Sequence, residues 1–154
     1  MTSVDKKILV TGGCGFIGSH FVKRLYNEGH DVWVLDKLTY AGNKANLRGY
    51  NVPIYIGDIA SPSVVEAAAN GADAIVNFAA ESHVDRSIGN GIPFVLSNTI
   101  GAYLLAKHSF SNHARTFIQI STDEVYGPSE NENSSSSSPW QNVFSPHRPP
   151  TESP

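Results

Sequence analysis

Short runs of consecutive apolar residues punctuate the chain, and each ends at a polar or glycine-rich break. They are Ile8-Leu9-Val10, Val32-Trp33-Val34-Leu35, Ile54-Tyr55-Ile56 behind Pro53, Ala74-Ile75-Val76 leading into Asn77-Phe78, and Phe117-Ile118-Gln119-Ile120 behind Thr116. Runs this short, without polar alternation, predict strands buried on both faces, as in a parallel sheet. Helical patterns lie between them. Ser19 to Glu28 places Phe21, Val22, Leu25 and Tyr26 on one side. Ser61-Pro62 predicts a helix start, with serine as cap and proline in the first turn, running to about Ala69. Pro93 to Ser109 predicts a long helix, its Val95, Leu96, Ile100, Tyr103, Leu104 and Ala106 at mixed three- and four-residue spacing. Lys37 to Gly49 is a polar connection whose early part is expected over the end of the second strand.

Strand and helix in alternation imply a parallel sheet covered on both faces, hence an α/β doubly wound fold of about five strands in the order 3-2-1-4-5. In such a sheet, ligands bind beyond the carboxyl ends of strands one and four. The unusual polar clusters all fall just after a strand end: Thr11–Gly18, Asp36–Gly42, Asp58, Ala79–Arg86 and Ser121–Gly127. From Ser129 the character changes to an unbroken serine run, Ser134 to Ser138, followed by Pro139, Pro146, Pro149, Pro150 and Pro154. Residues 1–128 are therefore expected to form the folded domain, and 129–154 a Ser/Pro-rich, mostly flexible tail.

Composition narrows the function classes. Forty per cent hydrophobic and 16% charged residues are ordinary for a globular domain. A formal charge of −3 provides no basic footprint for nucleic acid. No apolar run is long enough to cross a bilayer, and Met1 to Lys7 lacks a signal-peptide core. Cys14 is the only cysteine, so no internal disulfide can form. Together these predict a cytoplasmic protein, with no membrane or nucleic-acid partner.

Three clusters carry candidate chemistry. The first is Gly12-x-x-Gly15-x-x-Gly18, preceded by Thr11 and placed between the first strand and the first helix. Glycines there allow a tight turn and close approach of a pyrophosphate to backbone N–H groups, and the helix N-terminus adds unpaired donors. Asp36 stands 18 residues past Gly18, at the end of the second strand. Its carboxylate suits ribose hydroxyls and favours NAD over NADP. Cys14, inside the turn, reads as a small filler. The second cluster follows strand four: Ala79 and Ala80 let a flat cofactor lie close, and Ser82 offers a hydroxyl. Asp85 and Arg86 read as a loop-stabilising ion pair, and His83 has no second ligand at metal-binding spacing. The third is Ser121-Thr122-Asp123-Glu124-Val125-Tyr126-Gly127. Neighbouring carboxylates in extended chain point opposite ways, so Asp123 and Glu124 are expected in different environments, as an acid–base pair requires.

These stretches carry a resemblance. Thr11-Gly12-Gly13-x-Gly15-Phe16-Ile17-Gly18 looks like the start of an extended short-chain dehydrogenase/reductase. Asp36 to Asn43, Ala79 to Ile88 and Ser121 to Gly127 narrow it to the dTDP-glucose 4,6-dehydratase family, over about residues 6–128. The resemblance implies a Rossmann-type fold and a tightly held NAD that takes hydride from C4 of a nucleotide-activated glucose and returns it to C6 after water leaves across C5 and C6. It implies cofactor contacts at Gly12, Gly15, Phe16, Ile17, Gly18, Asp36, Lys37, Leu38, Thr39, Asp58, Ile59, Phe78, Ala79, Ala80, Glu81, Ser82 and Ser97. By position, Asp123 would protonate the leaving hydroxyl, Glu124 would remove the C5 proton, and Thr122 and Ser82 would contact substrate.

The family's Tyr-x-x-x-Lys pair belongs some tens of residues after the Thr-Asp-Glu stretch. Tyr40-Lys44 and Tyr103-Lys107 have the spacing but precede that stretch, so neither is taken as the pair. The chain is thus expected to be the cofactor half of such a lyase, ending before the last strands and the substrate domain. The family's homodimer uses the Pro93–Ser109 helix with a further long helix beyond residue 154, so that mode is not expected of this chain. The alternatives are an NAD-binding module without turnover and a nucleotide-sugar epimerase.

Overall fold

The computed structural model of the protein describes residues 5–83, 89–111 and 116–122. The chain divides into two compact units, Met1–Ile120 and Ser121–Pro154, and the elements below belong to the first. The Asp85–Arg86 pair, Asp123, Glu124 and the tail 129–154 lie outside the described residues.

The apolar runs are strands: β1 Lys7–Thr11, β2 Asp31–Asp36, β3 Ile54–Ile56, β4 Ala74–Asn77 and β5 Thr116–Gln119. All four pairings are parallel, and the order is β3-β2-β1-β4-β5. Side chains alternate across a strand, so the sheet has a core on each face. Ile8, Val10, Val34 and Val76 pack with Val22 and Leu25 of helix α1, Phe16–Asn27. Leu9, Leu35 and Ile75 pack on the other face with Val65 and Ala68 of helix α2, Pro62–Ala69, and with Leu105 of the long helix. Burial on both faces explains why β1, β2 and β4 read as continuous apolar runs. Strands β3 and β5, at the two ends of the strand order, differ from the expectation of doubly buried strands, with Tyr55, Ile56 and Ile118 exposed.

One helix start differs from the sequence expectation; the other starts where expected, without its cap bond. Helix α1 begins at Phe16, inside the glycine motif, because Gly15 is already extended (φ −72°, ψ 173°) and serves as its N-cap. At α2, Ser61 occupies the cap position, but its hydroxyl faces that of Ser63 and makes no cap bond.

The long helix also differs. Helix α3, Ile92–Phe94, widens into a π-helical segment, Val95–Gly101, and resumes as α4, Ala102–Ser111. Gly101 is where it meets the fold: a Cβ there would lie 2.5 Å from the Ile59 side chain. A glycine lets the widened turn seat against that residue.

Candidate cofactor site

The centre of the sheet places the site. Thr11 at the end of β1 is in register with Leu35 of β2 and Asn77 of β4. The chain leaves β1 in one direction toward α1 and leaves β4 toward the long helix, so a crevice opens between their carboxyl ends. Gly12 forms its floor. It has φ +69°, and a Cβ there would meet Ala79 N at 2.6 Å and the Phe78 carbonyl carbon at 2.7 Å. Only glycine fits this backbone-on-backbone approach. Gly12 N–H donates to Leu35 O (2.9 Å) and Phe78 N–H donates to Thr11 O (2.9 Å), so the turn is sewn to both neighbouring strands. A Cβ on Gly18 would collide with Gly12 O, so the first helical turn packs directly on the loop.

The start of α1 is equipped for an anion. Its N-cap, Gly15, has no side chain to satisfy the first amides, and the first turn holds no acidic residue. The amides of a helix's first turn have no intrahelical partner and carry the positive end of the dipole. Phe16 and Ile17 are 77% and 65% exposed, so the apolar side chains of this turn project from the protein rather than into its core.

Asp36 is tied into the glycine turn. It is 8% exposed. Its Oδ2 accepts from Cys14 N–H (2.9 Å) and its Oδ1 from Leu38 N–H (2.8 Å). The carbonyl of Cys14 in turn accepts from Asn43 N–H (3.0 Å) and Asn46 Nδ2 (2.9 Å). The glycine turn and the loop after β2 are therefore one hydrogen-bonded unit with the Cys14 peptide at its centre. A carboxylate offers about four lone-pair sites, so these two bonds leave about two for further donors. Leu38 sits at φ +54°, a left-handed conformation that costs a branched residue about 1 kcal/mol or more. The bond from its amide to Asp36 holds it there.

Neighbouring groups set two ionisation states. The Cys14 thiol is pushed up to about 11, mainly by burial and further by the Asp36 charge, against a smaller opposite effect of Lys44. It is a neutral, buried filler, as read from its position in the turn. Burial alone would raise Asp58, but the hydrogen bonds from Lys37 (Nζ to Oδ2, 2.6 Å) and from Ala60 N–H, with the Lys37 charge, hold it below its ordinary 3.8. Lys37 and Asp58 thus bridge the ends of β2 and β3. Thr39 is exposed in the β2 loop. Ile59, in contrast, is buried in the core against α2 and the long helix, so only its main chain can face a ligand.

Behind β4, Phe78 and Ala79 are half-buried and Ala80 and Ser82 exposed. Tyr40 of the β2 loop and His83 of the β4 loop approach edge to face, ring centroids 6.4 Å apart, across the line of β1. Sequence reasoning missed two groups here. Asn77, fully buried, accepts from the Thr11 hydroxyl and from Ala79 N–H (3.0 Å) and donates to Gln119 Oε1 (2.7 Å), linking the ends of β1, β4 and β5. Asn98 of the π segment is bonded to the main chain of Glu81. The expected contact Ser97 is its half-buried neighbour in that segment. Thr122 is exposed and belongs to the second unit. Among the described residues no group of His, Cys, Asp and Glu could hold a metal ion, and no helix is long and apolar enough to cross a membrane.

The comparisons agree with this geometry. The chain is 51% identical over 125 residues to the low-salt glycan biosynthesis protein Agl12 of Haloferax volcanii, covering 78% of this chain and 40% of that protein. It is 47% identical over 131 residues to a dTDP-glucose 4,6-dehydratase of Streptomyces niveus, covering 79% and 39%. Among solved structures it matches DesIV, a dTDP-glucose 4,6-dehydratase of Streptomyces venezuelae solved with NAD bound, at a TM-score of 0.75 and 42% identity over 80% of this chain and 42% of that one. It also matches a UDP-Glc/GlcNAc 4-epimerase of Campylobacter jejuni, TM-score 0.80 and 29% identity, over 90% and 44%. The chain therefore spans about two fifths of the length of these relatives. With a glycine turn and Asp36 arranged as a dinucleotide site requires, and a family match that runs through residues 8–149, the chain belongs to the NAD dependent epimerase/dehydratase family.

Proposed function

We propose that this chain is the NAD-binding part of a nucleotide-sugar 4,6-dehydratase, acting on dTDP-glucose to give the 4-keto-6-deoxy sugar. The observation that carries the cofactor reading is the Asp36–Cys14–Gly12 unit: a buried carboxylate locked to a glycine turn that no side chain could enter. The first-turn amides of α1 take the pyrophosphate, Asp36 takes the adenosine ribose, and Ala79 to Ser82 border the nicotinamide half. Asp36 also opposes a 2′-phosphate, since a second negative charge beside a buried carboxylate is costly.

NAD, when bound, supplies the hydride acceptor and donor for the sugar. Of the chain's own groups, Asp123 gives its proton to the departing C6 hydroxyl and Glu124 accepts the C5 proton, so water leaves with its atoms accounted for. Thr122 donates to the oxygen at C4. The Thr122-Asp123-Glu124 sequence supports the dehydratase over the epimerase reading, because epimerisation at C4 needs no acid–base pair for water loss. The buried single cysteine is in keeping with a reducing, cytoplasmic setting.

The test is to incubate the chain with NAD and dTDP-glucose, and separately with UDP-glucose, and to analyse the sugars formed. A 4-keto-6-deoxy product supports the dehydratase. A C4-inverted product overturns it in favour of an epimerase. NAD binding without product leaves a binding module.

A further inference from the structure

The long helix is regular at both ends and widened only over Val95–Gly101. Such π segments are rare and tend to mark functional sites. Asn98 lies inside it, and its amide meets the main chain of Glu81 edge-on. Asn98 Nδ2 donates to Glu81 O (2.8 Å), and Asn98 Oδ1 accepts from Glu81 N–H (2.8 Å). An asparagine amide presents the same donor–acceptor pair as a peptide group. The contact therefore works like one rung of a sheet ladder, made by a helix side chain.

We propose that Asn98 is the positioning residue that shapes the loop after β4 for the nicotinamide half of the dinucleotide. The proposal rests on the NAD reading above. That loop leaves β4 with Phe78 N–H on Thr11 O and Ala79 N–H on Asn77 Oδ1. Beyond Ala79, among the described residues, the two bonds to Asn98 are what tie the main chain of Ala80 to Ser82 to the rest of the fold. They use only the backbone of Glu81, so the side chains of Ala80 and Ser82 stay exposed. The anchor is itself rigid. Gly101, at the other end of the π segment, packs on Ile59, and Leu105 one turn later is fully buried. The widened turn carries the stiffness of the core out to a loop that has little packing of its own.

The experiment titrates the chain and its Asn98→Ala and Asn98→Asp variants with NAD and with ADP, and measures amide exchange at Glu81. ADP probes the adenosine and pyrophosphate contacts without the nicotinamide half. Removing both bonds is expected to weaken NAD about tenfold, with ADP affinity unchanged within about twofold, and to speed Glu81 exchange. Asn98→Asp keeps an acceptor for Glu81 N–H but turns its second oxygen against Glu81 O, acceptor against acceptor, 2.8 Å apart in the native geometry. It is expected to weaken NAD at least as much as Asn98→Ala, about tenfold, with ADP again unchanged within about twofold. Equal losses for NAD and ADP would mean that Asn98 only supports the fold, and would overturn the proposal, as would unchanged NAD affinity in Asn98→Ala. If Asn98→Ala does not fold, Asn98→Asp decides by the same comparison. If the unsubstituted chain binds neither ligand, it is the NAD reading that fails. Asn98 is then judged by Glu81 exchange: unchanged exchange in the alanine variant overturns the clamp, and faster exchange supports it.

Discussion

Gly12→Ala isolates the contact on which the crevice depends. Two costs are readable. The native φ of +69° is one that alanine adopts only at about 1–2 kcal/mol. In addition, the new methyl would meet three backbone atoms of Phe78 and Ala79 at 2.6–2.8 Å, and backbone cannot swing aside as a side-chain tip can. Relief requires the β1 turn and the β4 loop to part, which strains the Phe78 N–H to Thr11 O bond. Losing a buried bond of this kind costs about 1–3 kcal/mol. The sum is about 2–5 kcal/mol. Gly29→Ala is the internal control: Gly29 has φ +85° but nothing within 4 Å of a Cβ, so it bears the strain without the collision. Urea denaturation of both variants measures the difference, expected at about 1–3 kcal/mol, and Gly12→Ala alone is expected to lose NAD binding. Equal stabilities within about 0.5 kcal/mol, with NAD binding retained in both, would refute the argument.

Three further outcomes follow from the same geometry. Asp36→Asn can accept one of the two backbone bonds but not both, so it is expected to lose about 1–3 kcal/mol in stability and to narrow the preference for NAD over NADP, read by denaturation and by titration with both nucleotides. The raised Cys14 value means the folded state keeps its proton while the unfolded thiol ionises, so this stabilisation is full below pH 9.0 and is lost as pH rises to about 11; Cys14→Ala should flatten that part of the stability–pH curve relative to the unsubstituted chain. For Asp58, whose value is lowered, the sign is opposite: its contribution is present above 3.8 and fades as pH falls through the folded value. Lys37→Met should bring the Asp58 titration up, seen by NMR, while changing stability by less than about 1 kcal/mol, because Lys37 is exposed.

What could be read from the sequence was what local pattern determines. Strands β1 and β4 are doubly buried, so Ile8-Leu9-Val10 and Ala74-Ile75-Val76 stood out, and strand–helix alternation implied the parallel order. Gly12, Gly18 and Asp36 were legible because a turn this tight and an acid at a strand end have few other uses. The rest depends on pairings between distant residues. Nothing near Asn77 in the chain announces Thr11 or Gln119, 66 and 42 residues away. Asn98 carries no local signal, since its partner is a backbone 17 residues earlier. The spacing of Val95, Leu96 and Ile100 reads as an ordinary helix, and the widening only makes sense once Gly101 is seen against Ile59. That the Ile59 side chain faces the core is likewise not visible from its place after Asp58.

Calorimetric titration of the chain with NAD and NADP tests whether the Gly12–Asp36 unit holds NAD. Saturable binding of NAD at a single site is expected, with NADP at least about tenfold weaker because its 2′-phosphate would lie beside the buried Asp36 carboxylate. No heat of binding with NAD, or a preference for NADP, would contradict it.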